Sequence, residues 1–75
     1  MKPYRDIDGD SGVEAYEYGA DFIIVRFSKG RYTDYTYTNS SAGVNNVEKM
    51  KRLADAGDGL NEFISEYKPD YSSKR

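Results

Sequence analysis

The 75-residue sequence contains no cysteine and no histidine. Without cysteine it has no disulfide and no thiol nucleophile, and without either residue it cannot build the common zinc sites. The lack of histidine also removes the side chain that most often transfers protons near neutral pH. A glycine-rich phosphate loop is missing too, because Gly57-Asp58-Gly59 lacks the lysine and the preceding strand. These absences predict a protein that is not an enzyme.

Long apolar segments are equally scarce, since the longest unbroken apolar run covers residues 22–25. A membrane helix needs about 20 predominantly apolar residues, and a signal peptide needs its own apolar stretch. The sequence therefore predicts neither, and together with the missing cysteine it predicts a cytoplasmic protein with no membrane partner. The net charge of −2 argues against non-specific wrapping of nucleic acid but leaves room for a local basic patch.

A chain of this length forms one domain. We expect a flexible N-terminal arm at residues 1–10, a single domain at residues 11–69 and a polar C-terminal tail at residues 70–75. Within the domain, three segments have the composition of β-strands and are joined by short turns, which is typical of hairpins. They comprise residues 13–18, 22–28 and 31–38.

After the strands, the spacing of apolar residues becomes helical. One stripe comprises Val44, Val47, Met50 and Leu53, and a second comprises Leu60, Phe63, Ile64 and Tyr67. Asn45 and Glu48 resemble a capping box and predict the start of the first helix, with residues 39–43 as a loop. Gly57 predicts the end of that helix, and Asp58 predicts the cap of the next.

The order of these elements predicts an α+β domain: a three-stranded antiparallel β-meander followed by two C-terminal helices packed on one face. The central strand, residues 22–28, has apolar residues on both faces. The predicted core comprises Val13, Ile23, Val25, Phe27, Val47, Met50, Leu53, Leu60, Phe63 and Ile64.

An acidic segment near the N-terminus is the first candidate site. Asp6, Asp8, Asp10 and Glu17 fall at positions 1, 3, 5 and 12 of a calcium-binding EF-hand loop, where clustered oxygens suit the hard Ca²⁺ ion. Ser11 replaces the glycine that the loop requires, and a strand rather than a helix follows. A solvated acidic loop is the alternative interpretation. No other cofactor is predicted.

The eight tyrosines indicate a second candidate site. Tyr35 and Tyr37 share one face of the third strand, and Tyr16 and Tyr18 share one face of the first strand. Aromatic residues interleaved with cations, here Arg26, Lys29 and Arg31, are typical of sheets that stack the bases of single-stranded RNA or DNA. Alternatively, the tyrosines pack beneath the helices.

The far face of the central strand is the third candidate, because it presents Phe22 and Ile24. If no helix covers that side, the patch favours a protein partner or a homodimer. The residues predicted to contact a partner or nucleic acid are Tyr16, Tyr18, Phe22, Ile24, Arg26, Arg31, Tyr35 and Tyr37.

A series of short motifs matches a known family in order. They comprise Ser11, Val13 and Tyr18; Val25, Phe27 and Gly30; Tyr35 and Tyr37; Met50 and Leu53; Gly57; Leu60 and Asn61; Ile64; and Tyr67. From Ser11 to about Tyr71 the chain resembles the KTSC domain, a small module found alone in bacterial and phage proteins and at the C-terminus of some lysyl-tRNA synthetases. The chain departs from the family where residues 38–41 replace a Val-Pro pair and Asp55 replaces a serine. The resemblance implies a β-meander with helices that binds protein or nucleic acid.

These features predict a small non-catalytic binding module that acts in protein–protein contacts or self-association through the sheet. The alternatives are binding of single-stranded RNA or DNA through the strand tyrosines with arginine and lysine, and binding of calcium by the acidic loop.

Overall fold

The computed structural model describes residues 1–7, 9 and 12–75. Along this part of the chain the elements are β1 (Lys2–Pro3), β2 (Val13–Gly19), β3 (Phe22–Phe27), β4 (Asp34–Thr38), α1 (Asn39–Ala42), α2 (Val44–Ala56), α3 (Leu60–Tyr67) and β5 (Ser73–Lys74). The strands form one antiparallel sheet in the order β1-β2-β3-β4-β5. Helices pack on this sheet, so the predicted α+β class is confirmed.

The predicted number of three strands is wrong, because the described residues form five. β1 pairs with β2 and β5 pairs with β4, so the sheet extends into the segments expected to form an arm and a tail. The Tyr4 amide donates to the Glu14 carbonyl at 3.0 Å, and the Ser72 amide donates to the Thr36 carbonyl at 2.7 Å. A strand of two residues is too short to show alternating hydrophobicity, which is why the sequence does not reveal either one.

A β-bulge changes which residues of β2 face the helices. Val13 pairs with Phe27 and Ala15 pairs with Arg26, so one extra residue of β2, Glu14, lies between two successive partners. Strict alternation would place Val13 and Ala15 on one face of β2 and Tyr16 on the other. The bulge instead brings both Val13 and Tyr16 to the core, as an inserted residue reverses the alternation beyond it.

The prediction of a loop at residues 39–43 is wrong, because this segment contains helix α1. The Ser41 amide donates to the Thr38 hydroxyl at 3.0 Å, and the Thr38 amide donates to the Ser41 hydroxyl at 3.1 Å. This reciprocal pair is a capping box built from Thr38 and Ser41. The polar composition of the segment hides the helix, although the Thr-x-x-Ser spacing indicates its start.

The two longer helices differ from prediction only at their starts. α2 begins at Val44 after Gly43, not at a capped Asn45, and α3 begins at Leu60 after Gly59, not after Asp58. Both N-cap residues, Gly43 and Gly59, are glycines, which have no side chain to accept a hydrogen bond from the first turn. The predicted left-handed Gly57 at the end of α2 is confirmed by its φ of 71°.

The core lies between the sheet and the helices. Its buried members are Tyr4, Val13, Tyr16, Ile23, Val25, Tyr37, Val47, Met50, Ala54 and Leu60. Phe27, Leu53, Phe63 and Ile64, which were predicted as core residues, pack against this cluster while partly exposed. The core therefore contains three tyrosines that the sequence prediction left out.

Candidate functional site

The predicted contact residues divide between two faces of the sheet, except Arg31, which lies in the turn between β3 and β4. Ile23 and Val25 of β3 point into the core, so Phe22, Ile24 and Arg26 point the other way. In the described part of the chain, every helix that contributes buried residues packs on the Ile23 side. We call the other side the open face. It comprises Ala15, Glu17, Phe22, Ile24, Arg26, Asp34, Thr36 and Thr38.

The centre of the open face is apolar. Ile24 lies opposite Glu17 on β2 and Thr36 on β4, and its side chain is half-buried. Phe22 is also half-buried because its ring lies over Gly19, where an added Cβ would be only 2.5 Å from the ring. The glycine on β2 thus makes room for the phenylalanine, which lies flat on the sheet.

A charged pair borders this apolar centre on one side. The Arg26 guanidinium donates to both carboxylate oxygens of Asp34, from Nε at 2.8 Å and from Nη2 at 2.9 Å. Thr33 donates to the same carboxylate at 3.1 Å. The hydrogen bonds from Arg26 hold the pKa of Asp34 below its usual value, and the same contact raises the pKa of Arg26. A bidentate pair of this kind fixes both side chains across β3 and β4.

The strand tyrosines all lie on the helix side of the sheet. Tyr16 and Tyr37 are buried. Tyr35 is half-buried, and the centre of its ring is 5.5 Å from the ring centre of Phe27 and 5.1 Å from that of Tyr71. Burial raises the pKa of Tyr37 to about 12. Arg26 is on the opposite face, so these tyrosines and Arg26 do not form one surface. The predicted base-stacking set is therefore divided by the sheet.

Tyr18 belongs to a polar cluster that the sequence prediction missed. Asp55 in the last turn of α2 accepts the Tyr16 hydroxyl at 2.8 Å and the Tyr18 hydroxyl at 2.7 Å, while Arg5 donates to the Asp55 carbonyl. The two tyrosine hydrogen bonds hold the pKa of Asp55 below its usual value. Burial and the bond to Asp55 raise the pKa of Tyr16 to about 12. The helix dipole disfavours an acidic residue at a helix C-terminus. The unfavourable position of Asp55 is the signal in the sequence that could have revealed the cluster.

The calcium prediction falls partly on residues outside the described ones, namely Asp8 and Asp10. Glu17 lies within β2 and faces the open side, and its carboxylate is 3.7 Å from the Met1 amino group. Asp6 lines a groove on the helix side. Among the residues that the structure describes, no cluster of three acidic side chains could hold a metal ion.

Known proteins do not extend this description. No family model, curated protein or solved structure matches the chain. The resemblance to the KTSC domain stays a prediction. In the described residues, no helix is both long enough and apolar enough to cross a membrane.

Proposed function

We propose that this protein is a non-catalytic interaction module that associates with a second copy of itself through the open face. The observation that supports this most strongly is the position of Phe22 and Ile24 on the central strand, on the side of the sheet that carries no described helix. Half-buried apolar side chains at the middle of a sheet gain free energy when a second surface covers them.

The polar residues around this centre suit an interface. Thr36 and Thr38 flank the apolar residues on β4, and the Arg26–Asp34 pair lies at the next register position. Protein interfaces commonly have an apolar centre that excludes water and a polar rim that fixes orientation. In a twofold dimer, each subunit presents the same patch, so an Ile24 near the axis would contact its own counterpart.

The fixed Arg26–Asp34 pair also supports face-to-face packing. Because each group already has its partner within the subunit, covering the pair does not leave a lone charge without compensation. Its side chains are partly exposed before association, with Arg26 at 40% and Asp34 at 12%.

Sedimentation velocity over a range of concentrations tests the proposal. We expect the wild-type mass to rise from monomer towards dimer, and Ile24→Lys to weaken the association by about thirtyfold or more, as for a central interface residue. The matched control is Val44→Lys, which places the same charge on a residue that is 53% exposed at the start of α2. Val44→Lys should associate like the wild type.

Two results would contradict this function. One is a strict monomer at every concentration, and the other is equal weakening by both lysine variants. Circular dichroism of each variant checks that the fold is retained, so a loss of association can be assigned to the surface.

A further inference from the structure

A groove lies on the helix side of the sheet, beside the turn between β3 and β4. Its volume is about 1010 Å³. Phe27 and Tyr35 contribute aromatic rings to its lining, and the turn contributes Lys29, Arg31 and Tyr32. The groove therefore combines aromatic surface with basic side chains along one wall.

The basic wall continues onto β5. Lys74 Nζ is 4.8 Å from the centre of the Tyr32 ring and 5.4 Å from the centre of the Tyr71 ring. Arg31 Cζ is 5.8 Å from the Tyr32 ring centre. Tyr32 and Tyr71 are 39% and 42% exposed, so both keep ring surface open to solvent. We call Lys29, Arg31, Tyr32, Tyr71 and Lys74 the basic corner.

Backbone hydrogen bonds hold the two segments of the basic corner together. The amides of Thr33 and Asp34 both donate to the main-chain oxygen of Arg75, at 2.8 and 2.9 Å, and the Arg75 amide donates to the Asp34 carbonyl at 2.9 Å. These bonds set the position of Lys74 relative to the turn. The basic corner is thus arranged before any ligand arrives, which lowers the entropy lost on binding.

The cations of the basic corner form no ion pair within the described chain. None of the ion pairs among the described residues includes Lys29, Arg31 or Lys74. Asp34, the acidic residue on the adjoining strand, is already bound by Arg26 on the other face. Two carboxylates, Asp6 and Glu14, also line the groove, so an anionic ligand is directed to the side of the basic corner.

Tyr18 provides an informative contrast. It also has lysines near its ring, with Lys2 Nζ at 5.8 Å and Lys51 Nζ at 5.4 Å from the ring centre. However, its hydroxyl binds the Asp55 carboxylate, and Lys51 pairs with Glu48 at 2.8 Å. The basic corner differs because its exposed tyrosines and its cations have no carboxylate bound to them in the described structure.

We propose that the basic corner binds single-stranded nucleic acid, with a base stacked on Tyr32 and its phosphates held by Arg31 and Lys74. Exposed aromatic rings beside unpaired cations are the combination that binds such strands, because rings stack on any base and cations attract the phosphates. This surface shares Lys29 and Arg31 with the base-stacking set predicted from the sequence but none of its tyrosines. It is also separate from the open face, since Lys74 pairs in register with Tyr35 on the helix side.

Fluorescence anisotropy with a labelled oligothymidylate of roughly ten nucleotides tests the proposal. We expect binding at low salt that weakens as salt rises, with a log–log slope of about −2 if Lys29, Arg31 and Lys74 each neutralise one phosphate. Tyr32→Ala should weaken binding by roughly ten- to hundredfold through lost stacking. Lys74→Ala should reduce the steepness of the slope by about 0.7.

Two variants act as matched controls. Tyr67→Ala removes a tyrosine that is 63% exposed on α3, and Lys49→Ala removes an exposed lysine on α2. Both should bind the oligonucleotide like the wild type. Amide chemical-shift changes in the wild type provide a readout that needs no variant, and we expect them at residues 29–35 and 71–75.

Several results would overturn the proposal: no binding at low salt, equal affinity of Tyr32→Ala and the wild type, or shift changes centred on Phe22 and Ile24. Equal competition by polyglutamate of matched length would show a non-selective cationic surface instead. Equal affinity for thymidine monophosphate would show a single-nucleotide site rather than a strand site. Sedimentation of the same variants shows whether a change in oligonucleotide affinity occurs without a change in self-association.

Discussion

At the residue scale, Asp55 connects helix α2 to the sheet. Its carboxylate accepts hydrogen bonds from two tyrosines of β2, and one of them, Tyr16, is a buried core residue. The sequence shows Asp55 only as one more acidic residue on a helix, because its partners lie 37 and 39 positions away in the chain. Such a contact depends on how α2 crosses the sheet, which residue spacing does not reveal.

Replacing Asp55 tests this connection. Asp55→Ala removes the acceptor of both tyrosine hydroxyls and leaves the Tyr16 hydroxyl partly buried without a partner. We expect the free energy of unfolding to fall by about 1–3 kcal/mol, measured by urea denaturation. Tyr18→Phe is the control, since it removes one hydroxyl from an exposed tyrosine and should cost less. Equal stability of Asp55→Ala and the wild type would show that the cluster does not stabilise the fold.

The same contact has a predictable pH dependence. The two tyrosine hydrogen bonds lower the pKa of Asp55 in the folded state below the ordinary value of 3.8. The ionised form is therefore favoured by folding, so the stabilisation is present above pH 3.8 and is lost as the pH falls through the lower folded pKa. We expect the stability difference between the wild type and Asp55→Ala to shrink in acid. A difference that stays constant below pH 3.8 would contradict this assignment.

At the scale of elements, the sequence predicts helices and strands with a periodic apolar pattern and misses those that are too short to have one. The apolar stripe of α2, with Val47 and Met50 at its centre, is enough to predict a buried helix, and Gly57 correctly predicts its end. The two-residue strands and α1 carry too few residues for any period. The bulge at Glu14 is a further case, because one inserted residue reverses the faces of β2 without changing its composition.

The end of α2 offers a test with a matched pair of glycines. Gly57 and Gly59 both have positive φ, at 71° and 85°, but an added Cβ at Gly57 would be 2.6 Å from Arg5 Cβ, whereas at Gly59 it would meet Leu53 at 3.5 Å. Both alanine variants should lose about 1–2 kcal/mol for the left-handed backbone. Gly57→Ala should lose about 1–3 kcal/mol more through overpacking, in urea denaturation. Equal losses would show that the N-terminal segment moves aside freely.

At the scale of the whole molecule, the two faces of the sheet have different environments. The helices bury the tyrosine side, while Ile24 and Phe22 remain on the open face. The sequence places Ile23 and Val25 of β3 in the core and Phe22 and Ile24 on the far face, and the structure agrees. It does not predict that Tyr16 and Tyr37 enter the core as well, and their burial determines which predicted contact residues can meet a partner.

The C-terminal segment completes the sheet at the edge of β4. Deleting residues 72–75 removes the acceptor of the Thr33 and Asp34 amides, which both donate to the main-chain oxygen of Arg75. We expect these two amides to exchange hydrogen faster in the shortened chain, measured by NMR. The Ile24 amide in central β3 serves as the internal control and should keep its protection. Unchanged exchange at Thr33 and Asp34 would show that β5 does not protect this edge.

The strand order also has a consequence for the kinetics of folding. β2, β3 and β4 pair with their neighbours in sequence, whereas β5 pairs with β4 only after the chain has passed through three helices. Closing a longer loop costs more entropy, so the β2–β3 and β3–β4 hairpins should form early and β5 should dock late. The basic corner includes Lys74, so it should be complete only late in folding, after β2, β3 and β4 have paired.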